Sequence, residues 1–310
     1  MNTTDRVAVC SRSFSRNVVL RAELLARYQH VTFNDSGRQL EGDDLVAFLW
    51  GHDKAITALE KITDPILARL PQLRVIGKYG VGVDMIDMAA MRRHGKHLGW
   101  TGGVNRRSVS EMVIAFAVSM LRHFPAAQRE VQQGTWRQLV GGQLSGRTVG
   151  IIGCGHIGKD LVQLLQPWGC TLLAHDIFDF PEFYARHQVE AVPLDILLAR
   201  ADVVTLHVPQ DASTRNMLSA ERLRLLKPTA ILINAARGGL VDEIEVREML
   251  KSGRLAAAAF DVFDTEPPQD TELLNLPNFL ATPHIGGSSE EAILAMGRSA
   301  IEGLDVHNVP

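Results

Sequence analysis

Short apolar runs alternate with longer amphipathic stretches almost from one end of the chain to the other. In the first third the runs are Val7–Cys10, Leu45–Trp50, Leu73–Gly77 and Leu98–Trp100, with helical patterns between them, as around Leu20–Arg27 and Asp84–Arg93. In the middle they are Thr148–Ile152, Thr171–His175, Val203–Val208, Ala230–Asn234 and Ala257–Asp261, followed by a short one at Phe279–Thr282. Runs apolar on both faces and separated by helices predict parallel strands covered on two sides. The expected fold class is α/β, with doubly wound parallel sheets. Val109–Arg122, the longest uninterrupted helical pattern, reads as a connecting helix between two such units. Near the far end, Ser288-Ser289-Glu290-Glu291 has the form of a capping box, and the helix it opens can pack back on the first unit.

A length of 310 residues, 46% of them hydrophobic, suits two domains that each bury a core. The 32 basic and 35 acidic residues are mixed along the chain and leave a net charge of −3. That balance provides no electrostatic footprint for nucleic acid or an anionic membrane. The start, M-N-T-T-D-R-V-A-V-C, lacks the apolar core of a secretory signal, and the longest apolar stretch, Met112–Leu121, is about half of a bilayer span. Cys10, Cys154 and Cys170 show neither metal-ligand nor C-x-x-C spacing, so no metal is expected, and reduced thiols in a cytoplasmic protein are.

The segment T-V-G-I-I-G-C-G-H-I-G-K-D-L-V-Q-L-L joins a strand run to a helical pattern through Gly153, Gly155 and Gly158. Gly153 permits a tight turn, Gly155 lets a pyrophosphate approach the backbone, and Gly158 lets helix and strand pack closely. The helix N-terminus then offers N–H groups to phosphate. Such a glycine pattern alone is a weak signal, but the next strand run ends at Asp176, where a carboxylate would hold ribose hydroxyls and repel a 2′-phosphate. NAD is therefore expected in preference to NADP, on a Rossmann-like unit. Cys154, inside the turn, reads as a small side chain tolerated beside the cofactor, with no thiolate partner nearby. His175 and His207, also at strand ends, are expected to face the cofactor through backbone and not as bases.

Three further strand runs end in A-A-R-G-G, V-F-D-T-E-P and P-H-I-G-G, which places Arg237, Glu266 and His284 just beyond three successive strand ends. Ligands of open α/β sheets bind there. Oxidising a 2-hydroxy acid moves a hydride from carbon 2 and a proton from the hydroxyl. Imidazole is the natural base near neutral pH, a neighbouring carboxylate stabilises imidazolium and fixes its tautomer, and a guanidinium grips the substrate carboxylate with two parallel bonds. His284 is thus expected as acid/base, Glu266 as its partner and Arg237 as the clamp. Singly, each has a bland alternative as a solvated loop residue; their joint placement after a dinucleotide turn favours the catalytic assignment.

N-A-A-R-G-G-L-V-D, A-F-D-V-F-D-T-E-P-P and A-T-P-H-I-G-G resemble the three signatures of the D-isomer-specific 2-hydroxyacid dehydrogenases, and the likeness extends to K-Y-G-V-G-V-D, V-N-R-R-S-V-S-E and L-H-V-P-Q-D-A-S-T. The resemblance implies two α/β domains with the active site in the cleft between them. It implies a discontinuous substrate domain of residues 1–101 plus 285–310 and a nucleotide domain of 102–284. It places His156, Ile157, Asp176, His207, Val208, Pro209, Thr214, Ala235, Arg237, Asp261, His284 and Gly286 at NAD, together with the three glycines. Lys78, Tyr79, Gly80, Val81 and Gly82 would meet the substrate alongside Arg237 and His284, with the glycine turn presenting N–H groups to its carboxylate. A homodimer through the nucleotide domain is implied, with contacts over Phe124–Leu144; Trp136 there belongs either to that contact or to the local core. The pattern is closest to short phosphoglycerate dehydrogenase-like members, with Lys78 where a phosphate-binding Arg is often found. A second Arg of the first domain is replaced around Trp50-Gly51-His52, while Arg106 and Arg107 offer alternative charge. The chain ends too soon after His284 for the regulatory domain of longer serine-biosynthesis enzymes. Glyoxylate, lactate or another unphosphorylated 2-oxo acid is the alternative substrate, and an NAD-sensing corepressor-like role is the alternative of a different class. Formate dehydrogenases resemble the family with Gln at the position of Glu266, which argues against that activity.

Overall fold

The computed structural model describes residues 2–310, which form two compact units, one up to Asn105 with Gly287–Pro310 and one of Arg106–Gly286. The first holds a parallel sheet of β1 (Asn2–Val9), β2 (Tyr28–Phe33), β3 (Lys54–Thr57), β4 (Val75–Lys78) and β5 (His97–Gly99), in the order β2-β1-β3-β4-β5. Leu45–Trp50, expected as a strand, instead belongs to the helix Gly42–Leu49. Its buried positions are Leu45, Val46 and Leu49, the one-sided spacing of a helix, and Asp43 and Asp44 favour its N-terminal dipole end. The strand is the following K-A-I-T of β3, buried at all four positions. Lys54 is tolerated there because its ammonium donates to Asp5 at 3.1 Å, Asp305 at 3.0 Å and the Tyr28 hydroxyl at 3.1 Å.

The last helix, Glu290–Gly303, packs on β4, β5 and the helix Val18–Arg27. It starts one residue later than the capping-box spacing suggests. The Ser289 hydroxyl accepts from Ala292 N at 3.1 Å, so Glu291 falls in the first turn and not at the reciprocal position.

The second unit has a seven-stranded parallel sheet of β6 (Thr148–Ile152), β7 (Thr171–His175), β8 (Val189–Ala191), β9 (Val203–Leu206), β10 (Ile231–Asn234), β11 (Ala257–Phe260) and β12 (Phe279–Ala281). The order β12-β11-β10-β9-β6-β7-β8 means the chain starts in the middle, winds outward, then returns to continue on the other side. The switch point lies between β6 and β9. Alternate residues feed opposite cores: Val204, Leu206 and Leu232 join one, Val203, Ile231 and Ile233 the other. The helix Arg106–Leu121 buries Val113, Phe116, Ala117 and Met120 on the second of these faces.

Candidate functional site

The glycine turn follows β6 at the switch point. Gly153 has φ +94°, and a Cβ there would lie 2.7 Å from the His207 carbonyl oxygen, so both conformation and packing require glycine. A Cβ on Gly158 would lie 2.3 Å from the Gly153 carbonyl oxygen. A Cβ on Gly155 would meet nothing within 4 Å, which is the room a pyrophosphate needs. Gly155 is the N-cap of the helix His156–Leu165 and offers no side chain to cap it, so the first-turn N–H groups face outward. His156 is exposed on that turn, whereas Ile157 is half-buried against the core.

Asp176, at the end of β7, accepts from Cys154 N at 2.6 Å and Phe178 N at 2.9 Å. The carboxylate is thereby locked beside the turn, with a lone pair on each oxygen left for ribose hydroxyls. Ile177 and Phe178 beyond it are 90% and 67% exposed, and neither is a basic side chain of the kind that receives a 2′-phosphate. Cys154 is fully buried, and burial pushes its thiol up to about 11, which removes it as a thiolate nucleophile. His207 accepts or donates through Nε2 with Thr205 Oγ1 at 3.0 Å, while Nδ1 is buried without a partner among the described residues. Burial holds it down to about 3, so it is a neutral imidazole. Val208 is half-buried, its Cγ1 2.8 Å from where a Cβ on Gly153 would stand. Pro209 and Thr214 close the next loop, the threonine hydroxyl donating to Pro209 O at 2.7 Å and accepting from Asp211 N at 2.9 Å. These residues fit a dinucleotide.

Arg237, Glu266 and His284 follow β10, β11 and β12, which are adjacent in the sheet. His284 Nδ1 lies 2.9 Å from Glu266 Oε2, and Glu266 Oε1 accepts from Phe263 N at 3.2 Å. The carboxylate fixes Nδ1 as the protonated nitrogen and leaves Nε2 to exchange a proton with a ligand. Asn234 braces the arginine turn, accepting from Ala236 N and donating to Arg237 O at 2.8 Å. Ala235 and Ala236 are buried below it. A Cβ on Gly238 would lie 1.9 Å from Phe263 O, so the arginine loop and the segment leading to Glu266 touch backbone to backbone. Phe260, Phe263 and Phe279 pack under both, with ring centroids 5.4–6.4 Å apart.

Asp261 anchors the loop that carries His284. It is 1% exposed, and its carboxylate accepts from Ile285 N at 2.8 Å, Gly286 N at 2.8 Å and the Thr282 hydroxyl. Gly286 is further fixed by the Ser108 hydroxyl on its carbonyl at 2.6 Å. This clamp holds His284 at φ 55°. Sequence reasoning missed Asn234, Thr282 and Gly238; for the first two, a polar residue closing an otherwise apolar run was the available signal.

In the first unit, the turn Gly80-Val81-Gly82 follows β4. Gly80 has φ +121°, and no described residue accepts from the N–H groups of Gly80, Val81 and Gly82. Lys78 is 5% exposed, its ammonium donating to Ala58 O at 2.6 Å and Tyr79 O at 3.3 Å, so it braces the ends of β3 and β4 from within. Tyr79 is buried with its ring edge-on to Phe14. Trp50-Gly51-His52 lies at the start of β3, the end opposite to this turn, so the positions facing the turn are Ala58-Leu59-Glu60. Arg107 is committed to Asp160 through two bonds of 3.0 Å, tying its helix to the helix of the cofactor turn. Trp136 is 85% exposed, so it is not part of a local core.

A glycine turn at a switch point, a ribose-type carboxylate and an Arg–Glu–His set on adjacent strand ends define a nicotinamide-nucleotide-binding α/β protein. Residues 114–286 match the family described as D-isomer specific 2-hydroxyacid dehydrogenase, NAD binding domain. Over 79% of its length the chain is 38% identical to D-3-phosphoglycerate dehydrogenase of Methanocaldococcus jannaschii, and that match covers 47% of the archaeal protein. The chain thus spans about half the length of the curated phosphoglycerate dehydrogenases it matches. It is 34% identical to hydroxypyruvate reductase of Thermotoga maritima, over 87% of this chain and 89% of that one. A solved structure from Polaromonas sp. JS6 66, provisionally assigned to the same family, superposes with TM-score 0.88 at 28% identity over 97% and 95% of the two chains. This chain belongs to the D-isomer specific 2-hydroxyacid dehydrogenase family. No helix among the described residues is long and apolar enough to cross a membrane.

Proposed function

We propose that the chain is an NAD-dependent D-2-hydroxyacid dehydrogenase acting on a small 2-hydroxy or 2-oxo acid, with 3-phosphoglycerate and its oxidised form as the first substrate pair to try. The observation that carries this reading is the His284–Glu266 pair, 2.9 Å apart at a strand end next to that of Arg237. When bound, NAD supplies the hydride acceptor for carbon 2. Gly155, the first-turn N–H groups after it and Asp176 hold it. His284 Nε2 takes the hydroxyl proton in oxidation and returns it in reduction, and Glu266 stabilises the imidazolium formed in between. Arg237 grips the substrate carboxylate and polarises the reacting carbonyl. The N–H groups of the Gly80–Gly82 turn are suited to receive an anionic group such as a carboxylate, and Lys78 and Tyr79 hold that turn in shape.

The Thermotoga relative, matched over nearly its full length, favours an unphosphorylated acid such as hydroxypyruvate as the second reading. The test is a panel of 2-oxo acids with NADH, headed by 3-phosphohydroxypyruvate and including hydroxypyruvate, glyoxylate and pyruvate, read by NADH absorbance. Tight NADH binding with no oxidation on any of them replaces the enzyme reading with that of an NAD-sensing binding protein. A homodimer through the second unit is part of the proposal. It is supported by Phe124, Val131, Trp136 and Val140, which are 52–92% exposed within one stretch. Cytoplasmic residence completes it.

A further inference from the structure

Beyond the carboxyl ends of the first unit's strands lies a cavity of about 620 Å³. Its lining comes from the segments after β1 (Ser11–Asn17), β2 (Gly37 and Gln39), β3 (Ala58–Glu60) and β4 (Tyr79), which is where open α/β sheets hold ligands. Tyr79 immediately precedes the Gly80–Gly82 turn, so cavity and turn adjoin. The volume is within the range of about 300–1,000 Å³ usual for small-molecule sites and exceeds what a methyl or hydroxymethyl terminus needs.

The charge of that lining is one-sided. Arg12 and Arg16 are exposed, and neither guanidinium meets a carboxylate, an aromatic ring or any other hydrogen-bond partner among the described residues. Arg21, one helix further on, is by contrast closed on Asp35. The acid of the lining, Glu60, is 4% exposed and turned into its own loop, where it accepts from Ala58 N at 2.6 Å. The Lys78 ammonium sits under the same loop on Ala58 O. Ser11, Ser13 and Tyr79 line the same cavity.

We infer that Arg12 and Arg16 form a subsite for a second anionic group of the substrate, a phosphate or carboxylate carried beyond carbon 2. This rests on the dehydrogenase reading above and narrows its substrate class to 2-hydroxy acids with a second negative charge. Planar guanidinium groups bind oxyanions through paired N–H bonds, and two of them without internal partners break no bond within the protein to do so. The subsite comes from the loop after β1, not from Lys78, whose donors are spent on carbonyls, nor from Trp50–His52 at the other end of β3.

The test compares wild type with Arg12→Gln and Arg16→Gln, both exposed and unpaired, with unfolding temperature as the check on folding. The quantity read is the ratio of kcat/KM for 3-phosphohydroxypyruvate, and separately for 2-oxoglutarate, to that for hydroxypyruvate. Each substitution is expected to lower a ratio by about 10–100-fold, the worth of a charge-assisted bond. Ratios within about twofold of wild type overturn the subsite while leaving the dehydrogenase reading standing. The probe with the larger fall identifies phosphate or carboxylate as the group held. If no 2-oxo acid is reduced, the dehydrogenase reading fails by itself and inorganic phosphate becomes the probe. A rise in unfolding temperature in wild type that the double variant lacks supports the subsite, and equal rises in both refute it.

Discussion

Asp261→Asn should separate the positioning of His284 from its chemistry. The carboxylate uses Oδ1 for Thr282 and Ile285 N, and Oδ2 for Gly286 N. An asparagine keeps one acceptor oxygen and turns an NH₂ toward at least one backbone N–H. At least one charge-assisted bond, ~1.5–3 kcal/mol, is lost, and a buried donor left unsatisfied adds ~1–3 kcal/mol. Holding a non-glycine residue in the left-handed region, as at His284 with φ 55°, costs about 1–2 kcal/mol. The intact clamp of three such bonds exceeds that strain severalfold, whereas the weakened one is brought close to it. The loop should relax and withdraw the imidazole from Glu266. A displacement of about 1 Å lowers turnover by roughly 100-fold, so kcat should fall 10–100-fold in the panel above, with a loss of ~3 kcal/mol in urea unfolding of the second unit. A variant with kcat within about twofold of wild type and an unchanged unfolding midpoint would refute the clamp.

His284→Ala should reduce kcat by at least about 10²–10⁴-fold, the usual contribution of acid–base catalysis, with NADH still bound in a fluorescence titration; surviving turnover would place the base elsewhere. Asp176→Ala should lower the NADH-over-NADPH preference in kcat/KM by about tenfold or more, since a charge repulsion at ~4 Å is about 1–4 kcal/mol; an unchanged ratio removes the ribose role. Gly158→Ala sets a methyl 2.3 Å from Gly153 O; the forced separation should destabilise by ~1–3 kcal/mol and weaken NADH binding, seen together in thermal unfolding with and without NADH. His207, held to about 3 by burial, stays neutral when folded but protonates when unfolded below the ordinary histidine value near 6.5. Its contribution is therefore complete above about pH 6.5 and is lost as pH falls toward 3, by up to about 1.4 kcal/mol per unit; His207→Asn should flatten that acid limb, and parallel curves would contradict it.

The second unit was far more legible in the sequence than the first. Five of its strands are interior to the sheet and covered on both faces, so each is a dense run such as A-I-L-I-N, and the ends of β10, β11 and β12 put Arg237, Glu266 and His284 in place; the edge strand β8, a V-E-A with two exposed residues, left no such run. In the first unit, β2 is an edge strand with polar residues at Gln29, His30 and Thr32, and β3 opens on a lysine. Neither stands out from its surroundings, and the apolar run Leu45–Trp50 drew attention instead, because a short buried helix and a buried strand look alike over six residues. With β3 unrecognised, the segment Ala58–Glu60 that follows it, and the cavity it shares with Arg12 and Arg16, left no mark in the reading of the sequence. Hydrogen-bonding roles such as that of Asp261 depend on where neighbouring loops fold and leave only a weak trace in the chain.

The contact of Gly238 with the Phe263 carbonyl has a further consequence. With no side chain between them, the arginine-bearing and glutamate-bearing loops form one mechanical piece, and neither can be lengthened or re-aimed without moving the other. Selection for a new substrate therefore has little freedom on that side of the chemistry. Under the proposed function, drift in the loops after β1 and β3, joined to nothing so unforgiving, would change what the protein accepts while the proton-handling machinery is inherited whole.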